Sequence, residues 1–201
     1  MTIRIAFSAA ATTVVMTQAA SAAMVSFTNG TLWSSFSVSQ GKTLVTEDFN
    51  SYNGFYPSGL SGNAGGIPWT ASAPGDLYAG SGYMSTNAAD ALLTFTFSPG
   101  MQGVAGNFFA TDASFNTLPA IIGVQLVDGS AYVGYSASAA DFVGFYSTGA
   151  AIASISVSVA NIFPSGTNFA TVDSLYFAVP APGAIALIGV AGLIGGTRKR
   201  R

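Results

Sequence analysis

The chain has 201 residues, of which only 7% are charged, and it contains no cysteine and no histidine. The missing side chains exclude disulfides, Cys-His and Ser-His-Asp nucleophiles and histidine-based metal centres. Residues 23–178 carry one lysine against eight acidic residues, a net charge of −7, which excludes nucleic acid as a partner because phosphate backbones are bound through Lys and Arg.

The N-terminal segment has the pattern of a signal peptide. Arg4 gives a positive start, residues 5–16 are mostly apolar, and Ala20-Ser21-Ala22 is a small-residue cleavage site. These three parts in this order are typical of export across the cytoplasmic membrane followed by cleavage. We therefore expect residues 1–22 to be removed and the mature protein to begin at Ala23, outside the cytoplasm.

The first part of the body alternates between strand-forming and turn-forming sequence. Residues 32–38 and 44–49 are rich in strand formers and predict two strands. Residues 50–66 contain five glycines and predict a long loop. Residues 67–71 predict a short strand, and the sequence from there through Asn87 is again rich in turn residues.

Two later strands have a clear apolar face. The side chains of each face alternate with small polar residues: Leu93, Phe95 and Phe97 in one strand, and Ile155, Val157 and Val159 in the other. Alternation of this kind predicts a strand that is buried on one side. We expect all six side chains in the core.

A β-hairpin is predicted near the middle of the body. Residues 121–127 and 131–137 have strand-forming sequence, and they flank Asp128-Gly129. Asp-Gly is a favoured pair for a two-residue turn of type I′, whose twist matches that of the strands it joins.

Further strands are predicted at residues 104–110, 142–147 and 171–179, the first of them kinked or closely approached at Gly106. Short strands separated by Gly, Pro, Asn and Asp, without helical periods between them, predict an all-β fold. We expect an antiparallel β-sandwich, jelly-roll-like, that forms one domain over residues 23–178 and contains very little helix.

The C-terminal segment, residues 179–201, predicts a membrane tail. It begins with Val179-Pro180-Ala181-Pro182, continues through an uncharged run to residue 197, and ends in Arg198-Lys199-Arg200-Arg201. As a helix the run would cover about 25 Å, slightly less than a bilayer core of about 30 Å. Because the terminal cations stay on the cytoplasmic side, the body should lie outside.

The order of these three parts resembles the PEP-CTERM sorting signal of Gram-negative bacteria, with Ala181 where the motif has glutamate. The resemblance implies a sorting motif at Val179, Pro180, Ala181 and Pro182, and a stop-transfer cluster at Arg198, Lys199, Arg200 and Arg201. It also implies a membrane protease of the exosortase type as partner. The precursor would be held in the inner membrane and then released to the cell surface or the medium. An ordinary tail anchor is the alternative, since it needs no proline pair.

The remaining candidates for chemistry are carboxylates. Glu47, Asp48 and Asp173 could supply oxygen ligands to calcium, because an early strand and the last strand can meet in a sandwich. Glu47 and Asp48 are adjacent, so on a strand they point to opposite faces and cannot form one acid/base pair. A glycosidase would have to combine one of them with a distant acid such as Asp112 or Asp173. The alternative is that these acids are simply solvated.

Several aromatic residues occur in glycine-rich, polar sequence, namely Tyr52, Phe55, Tyr56, Trp69 and Tyr78. Flat rings in such sequence could stack on sugars, and Tyr52, Tyr56, Trp69 and Tyr78 are the candidate ligand-binding residues. Packing within the core or under loops is the alternative. The exposure of each ring distinguishes the two interpretations.

Two hypotheses about function follow. The first is a noncatalytic surface or matrix protein whose body associates with extracellular polysaccharide, while the tail governs retention and release. The second is a secreted carbohydrate-active enzyme that uses paired carboxylates. No acid pair can be recognised in the sequence, which favours the first hypothesis.

Overall fold

The computed structural model describes residues 23–159 and 168–181. The predicted signal peptide, residues 1–22, and most of the predicted tail, residues 182–201, lie outside the described residues. The described residues form fifteen strands and one helix: β1 (Met24–Phe27), α1 (Gly30–Ser39), β2 (Lys42–Glu47), β3 (Gly54–Tyr56), β4 (Leu60–Ala64), β5 (Ile67–Ser72), β6 (Leu77–Gly80), β7 (Tyr83–Thr86), β8 (Leu93–Met101), β9 (Gly103–Asp112), β10 (Thr117–Leu118), β11 (Ala120–Leu126), β12 (Ala131–Ser136), β13 (Phe142–Ser147), β14 (Ile152–Val159) and β15 (Asn168–Pro180).

The strands form two sheets. The large sheet has the order β1-β13-β9-β15-β7-β6-β3, with β10 paired to β9 and β2 paired to β15. The small sheet has the order β12-β11-β14-β8-β5-β4. All pairings among the described strands are antiparallel. The two sheets pack around a common apolar core, and the predicted all-β class and antiparallel sandwich are confirmed.

The core lies between the sheets and uses the predicted apolar faces. Five of the six expected side chains are buried, namely Leu93, Phe95, Phe97, Ile155 and Val157. Val159, at the end of β14, is half-buried. The ring of Phe97 meets Phe177 edge-on with the centroids 5.8 Å apart, so this pair joins the small sheet to the large one.

The strand predicted at residues 32–38 is wrong, because this segment lies within helix α1. The side chain of Asn29 accepts a hydrogen bond from the Leu32 N–H at 3.0 Å and caps the helix. Gly41 follows the helix with a φ of 70°, the left-handed conformation that glycine adopts without strain. Trp33 and Ser37, one helical turn apart, face the large sheet and are buried.

The loop predicted at residues 50–66 is also wrong, since it contains β3 and β4. Gly62 lies within β4, where a Cβ atom would overlap the ring of Trp69 and the Tyr52 hydroxyl. A glycine in this strand therefore makes room for a tryptophan of the neighbouring strand. The glycine-rich composition of residues 50–66 predicted a loop, because composition does not reveal the contact between Gly62 and Trp69.

The turn-rich stretch before Asn87 contains a further hairpin, β6–β7, that the sequence did not predict. Its turn residues, Ser81 and Gly82, have φ values of 54° and 83°. Two consecutive residues with positive φ are the pattern of a type I′ turn.

The hairpin predicted at Asp128-Gly129 is confirmed as β11–β12. The predicted type I′ turn is wrong. Of the two turn residues only Gly129 has a positive φ, 87°. The Leu126 carbonyl accepts from the Gly129 N–H at 3.1 Å, and the Leu126 N–H donates to the Ser130 carbonyl at 2.9 Å. These bonds enclose a three-residue loop that ends in a glycine bulge. The Asp128 carboxylate accepts from the Ser130 N–H at 2.9 Å, which holds this form of the turn.

The close approach predicted at Gly106 is confirmed. A Cβ atom there would lie 2.6 Å from the Ser174 carbonyl oxygen. The facing strand β15 shifts register between Val172 and Leu175, so the glycine accommodates a bulge in its neighbour.

Candidate functional site

The outer face of the large sheet has two halves, and helix α1 covers one of them. We call this the covered half. Trp33 is 1% exposed, and its indole N–H donates to the Phe145 carbonyl at 3.2 Å. A Cβ atom at Gly144 would lie 2.6 Å from the Trp33 ring. Phe36 meets Tyr146 edge-on with ring centroids 5.1 Å apart. The helix is thus fixed on the sheet by aromatic side chains over small residues.

The other half of this face carries a groove with a volume of about 550 Å³. We call it the open half. Its aromatic lining residues are Phe55, Tyr78, Tyr83, Phe109, Phe115 and Phe169, and its polar lining residues include Ser85, Asn87, Thr111, Asp112, Thr117 and Thr171. An apolar groove with a few convergent polar groups is the usual form of a ligand site.

Four of the groove aromatics are exposed to solvent. Phe55 is 62% exposed, Tyr78 39%, Tyr83 43% and Phe115 84%. Phe55 and Tyr78 face each other across β3 and β6, with ring centroids 5.3 Å apart. Tyr83 stands edge-on over the buried Phe109 at 6.0 Å. Phe55, Tyr78 and Tyr83 therefore form a supported apolar surface, since each of these three rings contacts a neighbouring ring in the sheet.

Gly80 leaves room for the Tyr78 ring to lie over it. The two residues lie on the same face of β6, and a Cβ atom at Gly80 would be 2.8 Å from the Tyr78 hydroxyl oxygen and 3.2 Å from the ring. The tyrosine ring therefore leans across the glycine, which presents a broad aromatic surface to the groove.

Hydroxyl groups lie beside these rings. The Ser85 and Thr171 hydroxyl oxygens are 2.9 Å apart across β7 and β15, and the Ser85 hydroxyl also donates to the Ala170 carbonyl at 3.2 Å. Side-chain hydroxyls both donate and accept hydrogen bonds. The groove thus combines flat apolar rings with adaptable polar groups.

A tight loop carries Phe115 at the groove. The Asp112 carboxylate accepts from the Asn116 side-chain amide at 2.8 Å, the Asn116 N–H at 2.9 Å and the Ser114 N–H at 2.8 Å. These hydrogen bonds lower the pKa of Asp112, and the bond from the Asn116 side chain has the largest effect. Phe115 has a φ of 63°, which costs energy for a residue with a side chain. The loop therefore holds an exposed ring in a strained conformation.

Three of the four predicted ligand-binding aromatics pack against the core. Trp69 is 1% exposed, and its ring contacts Tyr52 at 5.7 Å. Burial raises the pKa of Tyr52, and the Glu47 carboxylate adds to the rise. Tyr56 is half-buried and packs on the same core. Exposure favours the packing interpretation for these three, whereas Tyr78 lies in the groove.

Glu47 and Asp48 accept hydrogen bonds from different groups. The Glu47 carboxylate accepts from the buried Trp69 indole N–H at 3.2 Å and the Phe49 N–H at 3.1 Å. The Asp48 side chain is exposed and accepts from the Asn50 N–H at 3.1 Å, which lowers its pKa. Glu47 thus serves as an internal acceptor, and Asp48 caps a turn.

Asp173 and the Asp48 backbone both lie near Gly82. A Cβ atom built on Gly82 would be 3.3 Å from the Asn50 amide oxygen, 3.6 Å from the Asp48 carbonyl oxygen and 4.0 Å from an Asp173 carboxylate oxygen. Within residues 23–159 and 168–181, no three acidic side chains are grouped so that they could hold a metal ion. Calcium binding by Glu47, Asp48 and Asp173 stays a prediction.

Asp112 is too far from Glu47 to form an acid pair. Glu47 lies opposite Leu175, which lies opposite Gly106 on β9. Asp112 is six residues further along β9, which corresponds to about 20 Å. Paired glycosidase carboxylates lie about 5 to 9.5 Å apart.

The start of the predicted sorting motif belongs to the sheet. Val179 pairs with Thr43 and Pro180 with Lys42, at the end of β15. Val179 is buried, so the strip expected to be exposed from residue 179 begins at Pro180. None of the helices in the described ranges is long and apolar enough to cross a membrane, and residues 182–201 lie outside these ranges.

Five groove aromatics were not among the predicted ligand-binding residues, namely Phe55, Tyr83, Phe109, Phe115 and Phe169. The alternation of Leu77, Tyr78 and Ala79 with the Ser81-Gly82 turn could have indicated the β6–β7 hairpin and hence Tyr83. Phe109 and Phe169 have no local signal, because the register of β7, β15 and β9 decides which rings meet.

No family model matches the chain, and no curated protein matches it. Among solved structures, the chain is similar to PfGH50B, with 11% identity and a TM-score of 0.31. That likeness covers 68% of this chain and 24% of the other, so the chain spans about a quarter of that protein. It is also similar to the family 11 carbohydrate-binding module of the cellulase Lic26A-Cel5E of Clostridium thermocellum, with 13% identity and a TM-score of 0.28, over 69% of this chain and 95% of the module. TM-scores this low carry no argument about fold or function.

Proposed function

We propose that this chain is an exported, noncatalytic surface or matrix protein whose open half binds extracellular polysaccharide. The observation that carries the proposal is the row of exposed rings beside hydroxyl groups in one groove. Aromatic rings offer apolar surface to the C–H faces of sugars, and hydroxyl side chains can bond to sugar hydroxyls. We also propose that the body is jelly-roll-like, and the repeated passage of the chain between the two sheets from β5 onward supports this.

A carbohydrate-active enzyme is the alternative. Among the described residues that line the groove, Asp112 is the only carboxylate, and both its oxygens accept hydrogen bonds within its own loop. Hydrolysis of a glycosidic bond uses a second carboxyl group on the other side of the bond. The groove therefore supports binding better than hydrolysis.

The test is a glycan-binding screen of the exported protein, performed with calcium and with EDTA. We expect binding that Tyr78→Ala weakens tenfold or more, since a central aromatic contact contributes at least this much. Tyr135→Ala is the matched control, because Tyr135 is 55% exposed but lies on β12 of the small sheet. Loss of binding in both variants alike, or hydrolysis of a bound glycan, would contradict the proposal. The EDTA arm tests the predicted calcium ligands.

We propose further that the precursor is held in the inner membrane by its tail and then processed by an exosortase-type protease. Since Val179 is buried in β15, a protease acting on the folded body would have to bind the chain from Pro180 onward. Deletion of residues 198–201 should impair stop-transfer. Replacement of Pro180 and Pro182 by Ala should leave an uncleaved precursor in the membrane.

An ordinary tail anchor would lose its hold in the deletion variant and be indifferent to loss of the proline pair. The measurement is the size and the cell fraction of the protein in wild-type and variant cells. A wild-type protein that keeps its whole C-terminus in the membrane, with no shorter released form, would exclude sorting. Mass spectrometry of the exported form tests the start at Ala23, and an intact Met1 terminus would exclude the signal peptide.

A further inference from the structure

The groove contains a continuous row of side chains that crosses five strands. Phe55 faces Tyr78, Tyr78 faces Ser85, Ser85 faces Thr171, and Thr171 faces Phe109. Neighbouring strands lie about 4.8 Å apart, so the row is about 19 Å long. A site of this length is suited to several linked sugars rather than to one.

The groove offers no positive charge. Its described lining residues include no Lys or Arg, and Lys42 is the only cation in the described part of the chain. Lys42 pairs with Pro180, nine residues along β15 from Thr171, which corresponds to about 30 Å. This distance exceeds the screening length of about 8 Å at physiological salt.

The groove carries a negative charge instead. Asp112 is part of its lining, and the body carries a net charge of −7. A uronate or sulfate group that entered would lose hydration without gaining a counter-ion, and it would be repelled by this charge. An uncharged sugar meets no such cost, because its hydroxyls can bond to the half-buried Ser85 and the exposed Asn87.

We propose that the groove takes an uncharged glycan chain lying across β3, β6, β7, β15 and β9, and that it excludes acidic glycans. This inference rests on the proposed function, since it names the class of polysaccharide that the same groove binds. The aromatic residues at one end of the row supply the stacking surface, and the Ser85 hydroxyl at its middle supplies a polar contact.

The test compares the binding of the exported protein to uncharged glucans, galactans and mannans with its binding to a polyuronate and a sulfated galactan, all in EDTA. We expect at least one uncharged chain to bind, with an affinity that changes less than about twofold between low and high salt, because no ion pairs form. The acidic chains should not bind. An oligosaccharide of the bound glycan should compete with the chain at least tenfold better than its monosaccharide.

Two variants make the outcome decisive. Tyr78→Ala should lower affinity for the uncharged chain tenfold or more, and Tyr135→Ala should leave it unchanged. Thr117→Lys places a cation on an exposed lining residue, so it should create salt-sensitive binding of the acidic chains. Circular dichroism confirms that each variant is folded.

The outcomes separate the inference from the proposed function. Binding of an acidic chain that is lost in Tyr78→Ala would overturn the inference and leave glycan binding in place. Equal competition by the monosaccharide, or no gain of acidic binding in Thr117→Lys, would also overturn it. Absence of binding to either class would overturn the proposed function itself.

Discussion

The covered and open halves belong to one face of one sheet, and both carry aromatic rings. On the covered half, helix α1 buries Trp33 against Gly144 and Tyr146. On the open half, Phe55, Tyr78 and Tyr83 stay exposed, and no described element lies over them. Burial of apolar area stabilises a fold by about 25 cal/mol per Å², so the open half forgoes stability that the covered half gains. Exposed apolar clusters of this kind mark interaction sites.

The largest expected effect is on the covered half. Trp33→Ala should lower the free energy of unfolding by about 3 to 5 kcal/mol, through lost apolar burial and a cavity over Gly144. Leu32→Ala is the control, because Leu32 is on the same helix but is 63% exposed, and it should change stability by less than about 0.5 kcal/mol. Denaturant unfolding measures both. A loss below about 1 kcal/mol for Trp33→Ala would mean that the helix contributes little to the fold.

A glycine-to-alanine substitution should lower the stability of the fold by different amounts in the two halves. A Cβ atom at Gly144 would meet the Trp33 ring, which the helix holds in place, so Gly144→Ala should destabilise by about 1 to 3 kcal/mol. A Cβ atom at Gly80 would meet the free end of Tyr78, which can move. Gly80→Ala should therefore change stability by less than about 1 kcal/mol but weaken glycan binding, because the ring is displaced.

Denaturant unfolding and a binding titration of both variants measure this difference. Equal destabilisation by the two substitutions would show that the open half is packed as rigidly as the covered half. Unchanged glycan affinity in Gly80→Ala would show that the position of the Tyr78 ring does not matter for binding.

Much of the sandwich could be predicted because its evidence is local. The alternation around Phe95 and Ile155 identified the core faces, and Asp128-Gly129 identified a hairpin. Helix α1 was missed because the apolar residues of its segment fit a loosely alternating strand as well, and the Asn29 cap and Gly41 decide between the two. Both end signals are present in the sequence.

Of the residues in the open half, only Tyr78 was predicted as a site residue from the sequence. In the sequence, Gly62 and Gly80 are typical of loops. In the structure they lie in strands, where the ring of Trp69 covers Gly62 and the ring of Tyr78 covers Gly80, so that a Cβ atom at either position would be too close to the ring. Trp69 and Tyr78 occur in similar sequence surroundings, yet one is buried and the other exposed. Exposure depends on pairing between distant strands, which no local pattern shows.

A smaller effect on stability is expected at Phe115. This residue has a φ of 63° and is 84% exposed, so Phe115→Gly removes backbone strain and little burial. It should raise stability by up to about 1 kcal/mol while weakening glycan binding. Phe49 is the matched control, because it has a φ of 54° but is fully buried. Phe49→Gly should destabilise by about 3 to 5 kcal/mol. Unchanged binding in Phe115→Gly would remove Phe115 from the site.

The smallest effect is the pH dependence of the loop that carries Phe115. Hydrogen bonds lower the pKa of Asp112 from its usual 3.8, and the bond from the Asn116 side chain contributes most. Because the folded pKa is lowered, the ionised carboxylate stabilises the loop fully above about pH 4, and this contribution disappears as pH falls through the lowered value. Glycan affinity should therefore be constant from neutral pH to about pH 4, and it should fall below pH 4.

Asn116→Ala should raise the pKa of Asp112, as measured by NMR titration. It should also weaken glycan binding at neutral pH while global stability stays nearly constant. A pKa of Asp112 that is at 3.8 and does not respond to Asn116→Ala would show that these hydrogen bonds do not hold the loop.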